Sequence, residues 1–386
     1  MRFLVRTLLL PLVCALVAGS AAAQDDFDTK ARFAVLMDYE SGSVLFSKDS
    51  DKEMEPASMA KLMTIAVVFT YLQQGKLKFT DEFFISEHAW RDGGAASGGS
   101  TMFAELNSKI SVENLVKSVI IQSGNDAAIA LAEGIAGNEA TFARIENALA
   151  KEIGLTGSTF VNATGLPDPA QVVTAHDLAL LARYIIKTFP EYYPIFSEPE
   201  FTWNKIRQEN RNSLLENGIG VDGLKTGHTE SAGYGEVVST TGSGRRLIAV
   251  LHGLTSMSER AEEARKLITW GTRGFELLPV FPAGKAVAYA NVFGGTEPQV
   301  GLVGEGQIDL FIPKGAEKCP EATVTYTGPL VPPVIEGTRI GTLNIYCADK
   351  VVQTAPLFAA STVESGDLVR RSQDALKQLL LGWLPL

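Results

Sequence analysis

Apolar and polar positions follow different rhythms in successive parts of the chain. Residues 33–38 (FAVLMD) and 43–48 (SVLFSK) are short β-type runs around Glu40, Ser41 and Gly42, and predict a hairpin. From Ser58 to about Tyr71 the pattern is apolar on every face, which predicts a helix inside a core. Pro56 closes off any earlier helix and Ser58 stands where an N-cap would. Residues 80–190 then read as mostly helical, in segments such as VENLVKSVII and DAAIALAEGI. Two turn-rich stretches interrupt them: RDGGAASGGST (91–101), expected to be mobile, and NATGLPDPA (162–170). Strand patterns return at 201–206, 221–226, 234–240 and 246–252, the last two flanking a TGSGR turn, and a helix follows from about Ser258 to Phe275.

Strands at both ends with helices between them predict one antiparallel sheet carrying packed helices, an α+β layout. Pro279 and Pro282 close this part, and residues 283–357 change to short β-rich runs (QIDLFIP, ATVTYTG, IGTLNIYC), a small all-β domain. Residues 358–386 are a linker and a helix with Leu368, Val369, Ala375, Leu376, Leu379, Leu380 and Trp383 on one face and Arg370, Arg371, Asp374 and Lys377 on the other. The first 23 residues have the basic start, apolar middle and Ala21-Ala22-Ala23 end of a secretory signal. The domains expected are therefore 1–23, 24–282, 283–357 and 358–386.

Composition narrows the function. Losing Arg2 and Arg6 with the leader takes the formal net charge from −10 to −12, and an acidic protein is a poor partner for nucleic acid. The leader carries Cys14, so Cys319 and Cys347 remain; a disulfide between them is expected, with two separate buried thiols as the alternative. The four histidines are scattered and HExxH is absent, so no metal or other cofactor is expected.

The chemistry starts from one residue out of place. Lys61 sits one turn into the all-apolar helix, on the same face as Ser58. Buried without a partner, an ammonium sheds its proton. A serine hydroxyl becomes a nucleophile when a nearby base takes its proton, and a lysine serves as that base when it is desolvated or stands beside another cation. Ser58-x-x-Lys61 alone also fits a capping serine and a solvated lysine. Two more short motifs follow, Ser123-Gly124-Asn125 before a helix and Lys225-Thr226-Gly227 at the end of a strand; each alone also fits a turn. Together they form a set. Lys225 offers the second cation, Ser123 a proton-relaying hydroxyl, Asn125 an orienting carboxamide, and Thr226 with the backbone after it a hold for an extended substrate and its terminal carboxylate.

With these motifs in place, the chain resembles the low-molecular-mass penicillin-binding proteins that are D-alanyl-D-alanine carboxypeptidases. The matching stretches are PASMAKLMT, QSGNDAAIALAE, RNSLLENGIGVDGLKTGHTESAGY and ARKLITWGTRGFE. The resemblance implies a β-lactamase/penicillin-binding-protein-like catalytic domain, Ser58 as acylated nucleophile, Lys61 as its base, and Ser123 and Lys225 as relay or electrostatic partners. It implies a supporting Asn125, a substrate-holding Thr226, Gly227 and His228, a carboxylate-binding Arg211, and an oxyanion hole of the Ser58 and His228 N–H groups. It further implies peptidoglycan stems ending in D-Ala-D-Ala as substrate, β-lactams as inhibitors, and a periplasmic enzyme held by its C-terminal helix on the outer face of the cytoplasmic membrane. A class A β-lactamase is the rival enzyme, but no ExxLN sequence lies between 126 and 225 and the SxN motif has glycine in the middle. A cross-link endopeptidase would carry the same motifs, and a silent peptidoglycan-binding protein is the non-enzymatic alternative.

Overall fold

The computed structural model describes residues 27–242, 244–314, 320–347 and 349–381, with backbone alone for 377–381 and for Arg2–Arg6. The expected leader therefore lies outside the described residues, apart from Arg2–Arg6, whose backbone pairs antiparallel with Glu321–Thr327. Two compact units divide the chain: Phe27–Met37 with Ser47–Arg273, and Asp38–Phe46 with Gly274–Leu386.

The first unit is the expected α+β layout. Its sheet runs in the order β1 (Phe33–Asp38), β5 (Leu247–Leu254), β4 (Gly233–Thr240), β3 (Val221–Thr229); the strand that follows β1 in the chain, β2 (Val44–Lys48), lies mostly in the second unit. β3 pairs antiparallel with β4 and β4 with β5, so β3 is an edge with one side of its backbone unpaired within the sheet. The helices are α1 (Lys61–Gln73), α2 (Asn125–Ala136), α3 (Glu139–Ile153), α4 (Ala175–Thr188) and α5 (Met257–Arg273).

α1 is buried along its length, from Lys61 and Leu62 to Phe69 and Leu72, because no face of it is polar enough to stay in water. At ~1.5–3 kcal/mol for each fully buried large apolar side chain, this helix anchors the unit. Its start differs from the expectation. Ser58 is not an N-cap: a short 3-10 turn, Ala57–Ala60, leads directly into α1, and Ser58 makes no capping hydrogen bond. The hydroxyl is thereby free to face Lys61.

The glycine-rich stretch expected to be mobile is fastened. Asp126, at the start of α2, accepts from Thr101 Oγ1 at 2.6 Å and from the backbone N–H of Met102 and Ala104 at 2.9 and 3.1 Å. Asn125 N–H donates to the Ser100 carbonyl and Asp126 N–H to that of Gly93. A buried carboxylate with several donors holds such a loop against its entropy.

The second unit is built of strands β6 (Phe275–Phe281), β7 (Ala288–Asn291), β8 (Gln299–Val303), β9 (Ile308–Pro313), β10 (Glu321–Thr327), β11 (Arg339–Cys347) and β12 (Lys350–Ala359), then helix α6 (Leu368–Leu381). β6 pairs with β9, so the chain enters this unit at Gly274 and not after Pro282 as the proline pair suggested. Pro279 is tolerated because β6 has a single partner strand. Its core is apolar, from Ala290 and Leu302 to Ile345 and Leu357. Cys347 is disulfide-bonded, while Cys319 lies outside the described residues.

Candidate active site

Three segments that are far apart in sequence meet around Ser58. The first is the 3-10 turn itself, entered through Ala57 with φ 48°, an uncommon value for alanine that aims the next residue. The second is a wide helical turn, Ser118–Gln122, that ends with Ser123 in the left-handed region at φ 73°. Gly124 follows because a Cβ there would meet Ser118 Oγ at 2.3 Å. The third is edge strand β3. It passes the Ser58 turn so closely that a Cβ on Gly227 would meet Met59 N at 3.1 Å and Ala57 Cβ at 3.2 Å. The glycines of both motifs are thus set by packing.

Lys61 is fully buried, and its Nζ has three oxygen partners: Ser58 Oγ at 2.9 Å, Asn125 Oδ1 at 2.7 Å and the Thr164 carbonyl at 2.5 Å. Three acceptors match the three protons of an ammonium. Burial nevertheless pushes its pKa down to about 7, helped by the Arg211 charge and opposed by Asp126 and Glu139. Near neutral pH both protonation states are therefore accessible. Once Lys61 is neutral it has two protons left, enough for Asn125 and Thr164, and its lone pair can receive the hydroxyl proton of Ser58. That is the geometry of a general base on a nucleophile.

Lys225 is also buried, and donates to the Thr226 carbonyl at 2.9 Å. Burial first, then the charges of Lys61, Arg211 and Arg260, hold its pKa well below the usual lysine range, against the pull of Glu236. Arg211 is thus a further cation acting on Lys61, and the two buried lysines disfavour each other's charge. Ser123 Oγ is buried and has no hydrogen-bond partner among the described residues. It makes no hydrogen bond to Ser58 or Lys61 that would complete a relay.

These groups border a cleft of about 460 Å³ lined by Ser58, Ser123, Asn125, Arg211, Thr226, Gly227 and His228. Of the expected site residues only Lys61 and Lys225 are absent from its wall; Lys61 is joined to it through Ser58 and Asn125. The His228 ring stacks on Tyr234 across the β3–β4 pair at 3.8 Å. Arg211 is placed by its N–H on the Ile121 carbonyl and by its own carbonyl, which accepts from Arg260 Nη2 at 3.2 Å.

Several participants went unseen in the sequence. The Thr164 carbonyl is backbone and has no residue-type signal. Arg260 lies in MSERAEEARK, a run that reads as a solvated face. Glu236 did carry a signal, as a lone acid in the strand GYGEVVST. Among the described residues no cluster of His, Cys, Asp or Glu could hold a metal ion.

Comparison with known proteins agrees with this geometry. Residues 19–255 match the D-alanyl-D-alanine carboxypeptidase peptidase family, and residues 275–365 match the penicillin-binding protein 5 C-terminal domain. Similar proteins include D-alanyl-D-alanine carboxypeptidase DacC of Escherichia coli K12, 41% identical over 92% of this chain and 89% of that protein. Another is D-alanyl-D-alanine carboxypeptidase DacA of Haemophilus influenzae, 39% identical over 90% of this chain and 88% of its own. Among solved structures, penicillin-binding protein 5 of Haemophilus influenzae superposes with a TM-score of 0.70 at 38% identity, covering 89% of this chain and 100% of that one. The chain therefore belongs to the D-alanyl-D-alanine carboxypeptidase family of serine-type, penicillin-binding enzymes.

Proposed function

We propose that Ser58 is the nucleophile and Lys61 the base of a carboxypeptidase that removes the terminal D-Ala from peptidoglycan stems through an acyl-enzyme. The observation that carries this reading is Ser58 Oγ at 2.9 Å from a buried amine with a pKa of about 7. Neutral Lys61 takes the hydroxyl proton as Oγ adds to the carbonyl carbon of the penultimate D-Ala. The C–N bond then breaks, the proton passes to the leaving amine, and water later splits the ester. The N–H groups of Ser58 and His228 receive the oxyanion, the open side of β3 at Thr226-Gly227-His228 pairs with the extended peptide, and Arg211 receives the terminal carboxylate. Asn125 keeps Lys61 aimed, and the unpartnered Ser123 hydroxyl has a lone pair and a proton ready for the leaving group. Benzylpenicillin, an acyl donor of the same shape, should add one acyl group to the peptide containing Ser58, read by intact mass. Ser58→Ala should keep the fold and lose the label; a label on another serine would overturn the assignment.

The reading extends to location: an exported enzyme on the outer face of the cytoplasmic membrane, held there by α6. No helix of the described residues is long and apolar enough to cross a membrane. Support comes from the way α6 is seated. Its polar side is engaged with its own unit, since Asp374 Oδ2 accepts from Gly294 N–H at 2.9 Å and pairs with Arg370. Leu368, Val369 and Leu376 are left exposed at 78%, 65% and 58%. An amphipathic helix that keeps its apolar side to solvent suits a lipid interface. Truncation after Glu364 should release enzyme from vesicles with acylation intact; continued sedimentation would refute the anchor.

A further inference from the structure

The mechanism above uses no acidic residue, yet a fully buried carboxylate lies behind the substrate-binding strand. Glu236 is in the middle of β4, directly opposite Thr226 of β3, so the two side chains share one face of the sheet. It is 0% exposed, and neither carboxylate oxygen has a hydrogen-bond partner among the described residues. Its nearest ionic neighbour is Arg260 of α5, whose Nε lies 3.7 Å from Oε2. Arg260 in turn lines the cleft and donates to the Arg211 carbonyl. Isolated buried carboxylates are costly, so this one is held by charge and not by a hydrogen-bond cage.

We propose that Glu236 is a positioning residue for the carboxypeptidase reaction: its carboxylate holds Arg260 beneath the Arg211 loop and so places the Arg211 guanidinium that receives the substrate carboxylate. This rests on the acyl-enzyme reading of Ser58 and Lys61. The charged groups acting on it are Arg260 on α5 and Lys225 on β3. On β5, Leu251 stands opposite Glu236, and the next residue, His252, is held uncharged by burial with its Nε2 on the Glu55 carbonyl. Arg211 and Arg260 both line the cleft, a cationic wall suited to an anionic chain end. Burial pushes Glu236 itself up to about 7, opposed by Arg260 and Lys225. Its ionised form is the one that pairs with Arg260.

The test is a pH profile of benzylpenicillin acylation, with kcat and KM for a peptide ending in D-Ala-D-Ala, for wild type, Glu236→Gln and Glu236→Met. Both variants should still label Ser58 one for one. The acidic limb, set by Lys61, should coincide with wild type, because Glu236 acts on substrate placement and not on the base. KM should rise several-fold at the optimum with kcat little changed. A KM equal to wild type, with only the melting temperature altered, would reduce Glu236 to a structural role and overturn the proposal, as would the failure of both variants to fold. A wild-type enzyme that takes no label at Ser58 would instead refute the acyl-enzyme reading.

Discussion

The two units differ in how they bury charge: the second ties Asp38 and Asp309 to neighbouring side chains, and the first places buried charges beside a cleft. The second buries Ala290, Leu302, Ile308, Leu310, Leu343, Ile345 and Leu357 around one another. Its buried amide, Gln353, is bonded throughout, to Ser43 Oγ, the Asp309 carbonyl and the Phe311 N–H. The first unit has an equally apolar frame but buries Lys61, Asp126, Glu146, Lys225 and Glu236 within it. Burying a charge costs free energy, and a domain that needed only stability would replace such groups with apolar ones. Where they persist with displaced pKa values beside a cleft, they mark chemistry. One interior is made for stability; the other gives up some stability for reactivity.

The sharpest way to break this contrast is Lys61→Arg. Charge is kept, and most of the bulk, but a guanidinium cannot lose its proton at neutral pH. Acylation should fall by about 10²–10⁴-fold, the usual share of a general base. In the wild type the same base should give an acidic limb centred near pH 7, because burial holds Lys61 at about 7. A variant that keeps most of its acylation rate would mean the proton goes elsewhere.

The reciprocal experiment is Ile345→Ala in the second unit. Ile345 is 0% exposed in an all-apolar cluster, so the cavity should cost about 2–5 kcal/mol. Urea unfolding should show the loss, with the acylation rate of the folded protein unchanged. If acylation fell with stability, the second unit would be part of the chemistry.

What the sequence disclosed follows the same division. Ser58, Lys61, Ser123, Asn125 and Lys225 were legible because each is a polar group in short motifs that are odd for their surroundings; Ser58, Ser123 and Asn125 line the cleft, Lys61 joins it through two of them, and Lys225 is buried outside its wall. The strands of both units were legible from period and turn residues. Less could be read where backbone or distant partners decide. Nothing in RDGGAASGGST announces that Asp126 will pin it, nor in NATGL that the Thr164 carbonyl will face Lys61. The boundary at Gly274 was hidden because Pro279 reads as a strand breaker, whereas a strand with one partner tolerates it.

A smaller effect should come from Lys225→Arg, which separates the two buried lysines. Lys225 is proposed to act as a charge, so arginine keeps that contribution and loses only fit within the buried space. Acylation should fall about tenfold, or ~1.4 kcal/mol, well short of Lys61→Arg. Equal losses at both positions would show that Lys225 too must give up a proton.

The smallest predicted effect tests whether a buried charge in the first unit is tolerated or simply neutralised. Glu146 on α3 is fully buried, and desolvation holds its pKa well above the carboxylate range. Thr64 Oγ1 lies 2.8 Å from the Ala163 carbonyl and 3.0 Å from Glu146 Oε1. A hydroxyl has one proton, so with Ala163 receiving it, the contact to Glu146 is best made by a protonated carboxyl donating to Thr64. Because the folded pKa exceeds the unfolded one, the stabilisation from this proton is complete below about 4.5. It is lost as pH rises, at up to ~1.4 kcal/mol per unit, until the folded group also ionises. Lys61 acts in the opposite sense, adding stability from about 7 to 10.5, but it is common to wild type and variant and cancels in their difference. Glu146→Gln has no proton to lose. Its stability relative to wild type should therefore increase with pH above about 4.5 and stay flat below it. Parallel stability curves across that range would mean that Glu146 is ionised when folded, and that the first interior tolerates a bare carboxylate after all.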